Sequence, residues 1–361
     1  MALVTLKHLT SYLYAQPVAL GPHRIMVRPL ESFDQHLLAA SLDISPEPSA
    51  LRWLQDVFGN AVAIAEFNQR ARELRIESTV VVLHTPRSAE EVHVESYARR
   101  YPFTYASEDM PDLLRSIERG HYDAERIVDS WARQFVRPKG GTSTLQMLRR
   151  MTAYIHDEFT YLARYEKGTQ TPMETLARRR GTCRDFAVLM IEAARALGLA
   201  ARFVSGYLYD PALHEPLVGG GHTHAWVRIF LPGSGWVEFD PTNGIVGNHG
   251  LIRVAVARDP RQAVPISGTW RGFPSDNRGL KVTVDVHCQP DDPNPAGDIE
   301  PAPEVDASSA TQNTPATLPL PAPLRPGEEN PVTVVDARSG EATFETADSL
   351  ETITPPAVRA S

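Results

Sequence analysis

The sequence predicts an α+β chain, and three observations carry that reading. Residues 1–90 are short β-branched or alternating runs with turn residues between them. Two stretches with apolar residues three and four apart follow, from Ser143 to Phe159 and from Cys183 to Leu197. Strand patterns then return from Ala201 onward. These divisions give a β-sandwich-like domain over 1–90, a helical connector over 91–142 and a core over 143–288. The remainder, 289–361, is a Pro-rich acidic tail.

In the first domain, Leu3 to Tyr14, Pro22 to Pro29, His36 to Ile44, Ala61 to Phe67 and Leu74 to Leu83 read as strands of a small antiparallel sheet. Asp56-Val-Phe-Gly-Asn60 is a turn between two of them. In the connector, Pro111-Asp-Leu-Leu-Arg115 and Ala124 to Arg133 are helix candidates, and Arg137-Pro-Lys-Gly-Gly141 breaks the pattern.

The first strong helix is capped by Ser143 or Thr144 and carries Leu148, Met151, Ile155 and Phe159 on one face. A loop holding Gly168-Thr-Gln-Thr-Pro172 leads to a short helix around Met173 to Arg179. The second strong helix presents Phe186, Met190, Ala193 and Leu197, and Gly198 supplies the left-handed residue that ends it. Ala201 to Tyr209, His224 to Leu231 and Trp236 to Phe239 are strands. Pro232-Gly-Ser-Gly235 turns between the last two, which pairs Leu231 with Trp236. Lys281 to His287 alternates as a closing strand.

Of the 361 residues, 42% are hydrophobic, enough for a sizeable core. The net charge of -8 sits in the tail, which from Gln289 onward carries 13 acidic and 3 basic residues. Few aromatics accompany them, so the tail cannot bury enough apolar surface to offset the entropy of ordering it. It reads as disordered, with Pro331-Val-Thr-Val-Val335 a segment that a protein partner could order. No basic stripe interleaved with aromatics supports nucleic-acid binding. No signal peptide or membrane-spanning run is visible. Two cysteines, Cys183 and Cys288, exclude a disulfide framework and point to the cytoplasm.

The chemistry concentrates in Cys183, His224 and Asp240, the parts of a thiol nucleophile system in chain order. A free thiol titrates near 8.5, so it needs activation. Thr182-Cys-Arg-Asp185 matches a capping box, which puts Cys183 in the first helical turn beside unpaired N–H groups. The helix dipole supplies at most about 2 kcal/mol. Lowering a thiol by about 2.5 pKa units takes roughly 3.4 kcal/mol. The helix end is therefore insufficient, Asp185 would oppose it, and an imidazolium partner is required.

His224 is the best candidate, on a strand whose Trp226, Arg228 and Phe230 share its face. Asp240 would fix its tautomer. Pairing Leu231 with Trp236 leaves Asp240 opposite Val227, about 10 Å along the strand from His224 and on the wrong face. A bulge at Gly233 or Gly235, or another register, must correct this.

Plainer readings exist for each residue. A lone cysteine is commonly a buried structural residue, Asp240-Pro241 can be a simple turn, and His222-Thr-His224 can be a metal pair with a sparse remaining ligand set. Tyr207, Trp226 and Trp236 could line a substrate cleft, although core packing suits each of them.

The local sequences resemble the transglutaminase-like superfamily, in its bacterial branch with an N-terminal β domain. The matching stretches are Thr171-Pro-Met-Glu-Thr-Leu-Ala-Arg-Arg-Arg-Gly-Thr-Cys183-Arg-Asp-Phe-Ala and Arg195-Ala-Leu-Gly-Leu-Ala-Ala-Arg-Phe-Val-Ser-Gly-Tyr207. They continue with His224-Ala-Trp226, Leu231-Pro-Gly-Ser-Gly-Trp-Val-Glu-Phe-Asp240-Pro-Thr-Asn243 and Arg253-Val-Ala-Val-Ala-Arg-Asp259. His8-Leu-Thr-Ser-Tyr12 begins the N-terminal likeness, and the whole spans residues 1–288. The resemblance implies a papain-like α+β core with an antiparallel sheet. It also implies Cys183 as nucleophile, His224 as base and Asp240 as the residue orienting it, acting on amide or ester carbonyls through a thioester. Nothing reads as an EF-hand loop, and no metal or cofactor is expected.

The function expected is thiol-dependent acyl chemistry on a peptide, isopeptide or related amide of a peptide or protein substrate, with hydrolysis favoured. Acyl transfer to an amine is the alternative within the enzyme reading. A peptide-binding module that merely keeps the fold is the alternative outside it.

Overall fold

The computed structural model describes residues 1–139, 141–162, 168–209 and 223–290. Its first sheet is organised on β1 (Ala2–Ile25), in which Val4, Leu6, His8 and Thr10 alternate inward. Two strands expected here are one. Register shifts between Leu13 and Val18 and between Leu20 and His23 carry the chain past Pro17 and Pro22 without ending it.

The antiparallel order is β2 (Gln35–Ser45), β5 (Arg70–His84), β1, β4 (Ala61–Glu66) and β3 (Ala50–Gln55). β3 gave no signal in the sequence because all six of its residues are exposed. Its ladder to β4, not a buried face, makes it a strand.

The middle of the chain supplies α1 (Met110–Ile117) and α2 (Ile127–Arg133). A two-residue ladder, β6 (Arg100–Tyr101) with β7 (Thr142–Ser143), leads into α3 (Thr144–Glu158), where the Ser143 hydroxyl accepts from Gln146 N–H at 3.4 Å. A parallel ladder joins β8 (Thr160–Tyr161) to β9 (Arg180–Gly181). Between them lies α4 (Pro172–Arg178), capped by a Thr171–Glu174 box.

α5 (Cys183–Ala196) departs from expectation. The sequence predicts one apolar face, but the helix is buried along nearly its whole length. α2, α3 and α4 pack around it, as do strands of the second sheet. Two charges of its C-terminal half are accommodated by pairing: Glu192 accepts from Arg195, Arg119 and the Gly120 N–H. Gly198 follows with φ 76°, the left-handed stop the sequence predicts.

The second sheet is antiparallel and runs β13 (Ile245–Val246), β12 (Gly235–Asp240), β11 (Thr223–Leu231), β10 (Ala201–Leu208), β14 (Leu251–Ala257). Ala225, Val227 and Ile229 of β11 join Phe186, Met190 and Ala193 of α5 in the main core. The chain then returns to the first sheet. β15 (Ile266–Arg271) and β16 (Asn277–Pro290) both pair with β1, making seven strands. Cys288, the last residue that the sequence assigns to the core, is opposite Val4 in this ladder. The tail from residue 291, and with it Pro331 to Val335, lies outside the described residues.

Both sheets belong to one compact unit. Val4, Leu6, Val80 and Val82 of the first sheet pack on Tyr207, Tyr209, Ile252 and Val254 of the second. Buried polar contacts fix this seam. His8 Nδ1 meets the Tyr207 hydroxyl at 2.7 Å and His84 Nδ1 meets that of Tyr209 at 2.8 Å. The Arg253 guanidinium joins Asp34 at 2.9 Å to Glu238 at 3.0 Å. Burial and the Arg253 charge pull in opposite directions on Asp34, and its carboxyl is held down at about 2.

Candidate active site

Cys183 is the first residue of α5, as its sequence implies, and is nearly buried. The Asp185 carboxylate reaches back to the Thr182 N–H at 2.8 Å and accepts from its hydroxyl at 2.9 Å. It also accepts from the Gln170 N–H at 2.7 Å and the Gln170 side-chain amide at 3.2 Å. These donors spread the negative charge and fasten the loop before α4 to the start of α5. The close fit requires Gly181, where a Cβ would lie 2.8 Å from Asp185 Cβ. The Cys183 N–H, at the open end of the helix, has no intrahelical acceptor and is an oxyanion donor candidate.

Tyr161 stands beside this turn. It pairs with Gly181 in the β8–β9 ladder, and the Leu162 N–H bonds to the Gly181 carbonyl at 2.9 Å. Burial first, then the nearby charges of Cys183 and Asp185, push its hydroxyl above the ordinary phenol range. Sequence reading had missed Tyr161, whose short strand shows no periodicity.

His224 and Asp240 are brought together: His224 Nε2 lies 2.8 Å from Asp240 Oδ2, and both side chains are fully buried. The register that achieves this differs from the expected one. Leu231 pairs with Gly235, not with Trp236, and Phe230 pairs with Trp236. The turn therefore has three residues, closed by Ser234 N–H to Leu231 O at 2.9 Å, with Gly233 and Gly235 at φ 91° and 70°. A one-residue shift moves a whole strand's side chains to the other face. Asp240 thereby falls on the His224 face, diagonal to it.

The turn after Asp240 orients the carboxylate. The Thr242 N–H donates to Oδ1 at 2.9 Å and the Asn243 amide donates to Oδ2 at 2.8 Å. Asn243 Nδ2 also approaches His224 Nε2 at 3.4 Å. A carboxylate only accepts, so Nε2 carries the proton toward Asp240, and this approach is donor against donor. His156 of α3 holds the turn from outside, its Nδ1 2.9 Å from the Thr242 carbonyl. Thr242, Asn243 and His156 were not foreseen; Asp-Pro-Thr-Asn reads in the sequence as a turn, not as a clamp.

The electrostatics follow from this geometry. Burial disfavours a charged His224, but the Asp240 charge and hydrogen bond outweigh it, Cys183 adds to them, and the imidazole is raised to about 10. Burial also opposes a charged Asp240, and His224 with the Asn243 and Thr242 donors holds its carboxyl below the usual range. His224 Nδ1 is buried without a hydrogen-bond partner among the described residues. Cys183 is close enough for its thiol and its charge to favour the imidazolium. A charged imidazole beside a thiol favours the thiolate.

A family model of the transglutaminase-like superfamily matches residues 129–241, which hold all three residues, and a model of bacterial transglutaminase-like N-terminal regions matches residues 4–83. The chain belongs to the transglutaminase-like superfamily. An uncharacterized Mycobacterium tuberculosis protein is 29% identical over 295 residues, covering 77% of this chain and 90% of that protein. A protein-glutamine gamma-glutamyltransferase of Pseudomonas aeruginosa is 40% identical over 67 residues, covering 18% of this chain and 10% of that enzyme. The fold is also that of a crystal structure of a candidate cysteine protease from Cytophaga hutchinsonii. Its TM-score is 0.60 at 20% identity, over 80% of this chain and 91% of that one.

In this transglutaminase-like core the three aromatic cleft candidates lie elsewhere. Tyr207 faces the first sheet and is fully buried. Trp226 is fully buried behind His224. Trp236 pairs with Phe230, six residues and roughly 20 Å along the strand from His224; Arg202 covers its ring at 4.1 Å. Burial or distance keeps all three from lining an open cleft. His222 lies outside the described residues, and among those described no group of three or more His, Cys, Asp or Glu is placed to hold a metal ion. No described helix is long and apolar enough to cross a membrane.

Proposed function

We propose that this protein carries out thiol-dependent acyl chemistry on an amide of a peptide or protein, with Cys183 as nucleophile, His224 as acid and base and Asp240 as the orienting carboxylate. The observation that carries the proposal is the buried His224–Asp240 pair, with Cys183 close enough to act on its imidazole. A fold kept only to bind peptides has no use for a charged imidazole sealed in its core.

The Cys183 thiolate adds to the carbonyl carbon, and the Cys183 N–H supports the oxyanion. The C–N bond breaks as His224 gives its Nδ1 proton to the departing amine. The thioester remains, and neutral His224 accepts a proton from the attacking water as the thiolate leaves. Hydrolysis is favoured because no amine-binding pocket is readable around the described site. Acyl transfer to an amine follows the same first half. It draws its support from the local likeness to the Pseudomonas aeruginosa gamma-glutamyltransferase.

The test is to trap the acyl-enzyme. Wild-type protein incubated with a cell extract should carry an acyl adduct on Cys183, identified by peptide mass, and Cys183→Ala should carry none. Products assayed with and without a primary amine then separate hydrolysis from transfer. A Cys183 that never acquires an adduct, in a protein that binds peptides, supports the binding-module reading instead.

A further inference from the structure

The indole of Trp226 lies along the imidazole of His224, with ring centroids 5.9 Å apart and planes within 24° of parallel. The two residues are successive on one face of β11. The ring's place is made by Gly206, the cross-strand partner of His224. A Cβ there would meet Trp226 Cη2 at 2.7 Å and the Ile252 carbonyl oxygen at 2.0 Å. Val204, Leu208, Leu251 and Val256 pack with the indole in the same cluster. The indole is thus locked, and with its N–H unbonded among the described residues, it offers His224 its π face.

We propose that Trp226 is a positioning residue for the acyl reaction: its ring fixes the plane of the His224 imidazole and favours the charged imidazolium over the neutral form. The physical basis is the negative face of the indole, which attracts a cation within about 6 Å of the ring centre, most strongly where water is excluded. Among the described residues, the titratable groups acting on His224 are Asp240 from β12 and Cys183 from α5. Asp240 holds the ring at its edge, whereas Trp226 holds it at its face, so the two constraints are independent. This inference rests on the proposed role of His224.

The test needs no substrate. Iodoacetamide labelling of Cys183, read by peptide mass, is followed against pH in wild type, Trp226→Phe and Trp226→Leu, each checked by thermal melting. At pH 6 the Leu variant should label about threefold to thirtyfold more slowly than wild type, with Phe between them. At pH 9, where a thiolate forms without help, the three rates should converge. A folded Leu variant that labels at the wild-type rate at pH 6 overturns the proposal, as does an equal loss at both pH values, which a purely structural role would give. If Trp226→Leu does not fold, Trp226→Phe carries the same comparison. Wild-type Cys183 that labels no faster than free cysteine at pH 6 rejects the active-site reading itself, a separate outcome.

Discussion

Asp240 meets His224 at 2.8 Å although the two residues stand two positions out of register across β11 and β12. The contact depends on a three-residue turn followed at once by Gly235, which sits at φ 70°. Glycine adopts this conformation freely, and a β-branched residue does not.

Gly235→Val should therefore cost about 1–2 kcal/mol of stability. It should cost more in activity, because a one-residue slip in the hairpin carries Asp240 to the opposite face. Nothing lies within 4 Å of a Cβ built at 235, so any loss comes from the backbone angle and not from crowding. Gly235→Asn, which tolerates the angle better, should retain most of both. Thermal melting and Cys183 labelling check this; equal behaviour of the Val and Asn variants would contradict it.

The His224–Asp240 pair sets a signed pH dependence. The folded imidazole is raised to about 10 from an ordinary 6.5. Its contribution to stability is then complete below pH 6.5 and fades as pH rises toward about 10. Asp240 is held below its ordinary range, so its share is lost only as pH falls through that lowered value. The melting-temperature gap between wild type and Asp240→Asn should be widest just below pH 6.5 and should shrink toward pH 10. A gap that stays constant would argue against a charged pair.

The seam between the sheets behaves oppositely. His8 is buried against Tyr207, and burial lowers it from 6.5 to about 4. Burial lowers His84, beside Tyr209, to about 4 as well. Between those values the unfolded chain binds protons that the folded one refuses, so stability falls as pH drops from 6.5 toward 4. Each histidine accounts for up to about 3 kcal/mol. Urea unfolding at pH 6.5 and at pH 4.5 should show a smaller acid loss in His8→Gln than in wild type.

Much of this arrangement was legible in the chain. Cys183 at a helix start, His224 on a strand and Asp240 at the end of the next follow from local pattern and turn chemistry. Their register did not, because Pro232-Gly-Ser-Gly235 permits two hairpin closures that differ by one residue. Nor did the burial of α5, whose Glu192 and Arg195 look solvent-facing until Arg119 and Gly120 are brought to them from far along the chain. β15 and β16 pair with β1 across more than two hundred residues, a contact no local periodicity encodes. Asn243 and Tyr161 were missed for the same reason: each matters through a neighbour that only the fold supplies.

Activation of Cys183 is proposed for His224 and Asp240 together. It is read from the rate of iodoacetamide labelling of Cys183 at pH 6, compared with free cysteine and with Asp240→Asn. Labelling should be at least about tenfold faster than free cysteine, with most of that gain lost in Asp240→Asn. Wild-type labelling no faster than free cysteine, or a rate unchanged by Asp240→Asn, would contradict it.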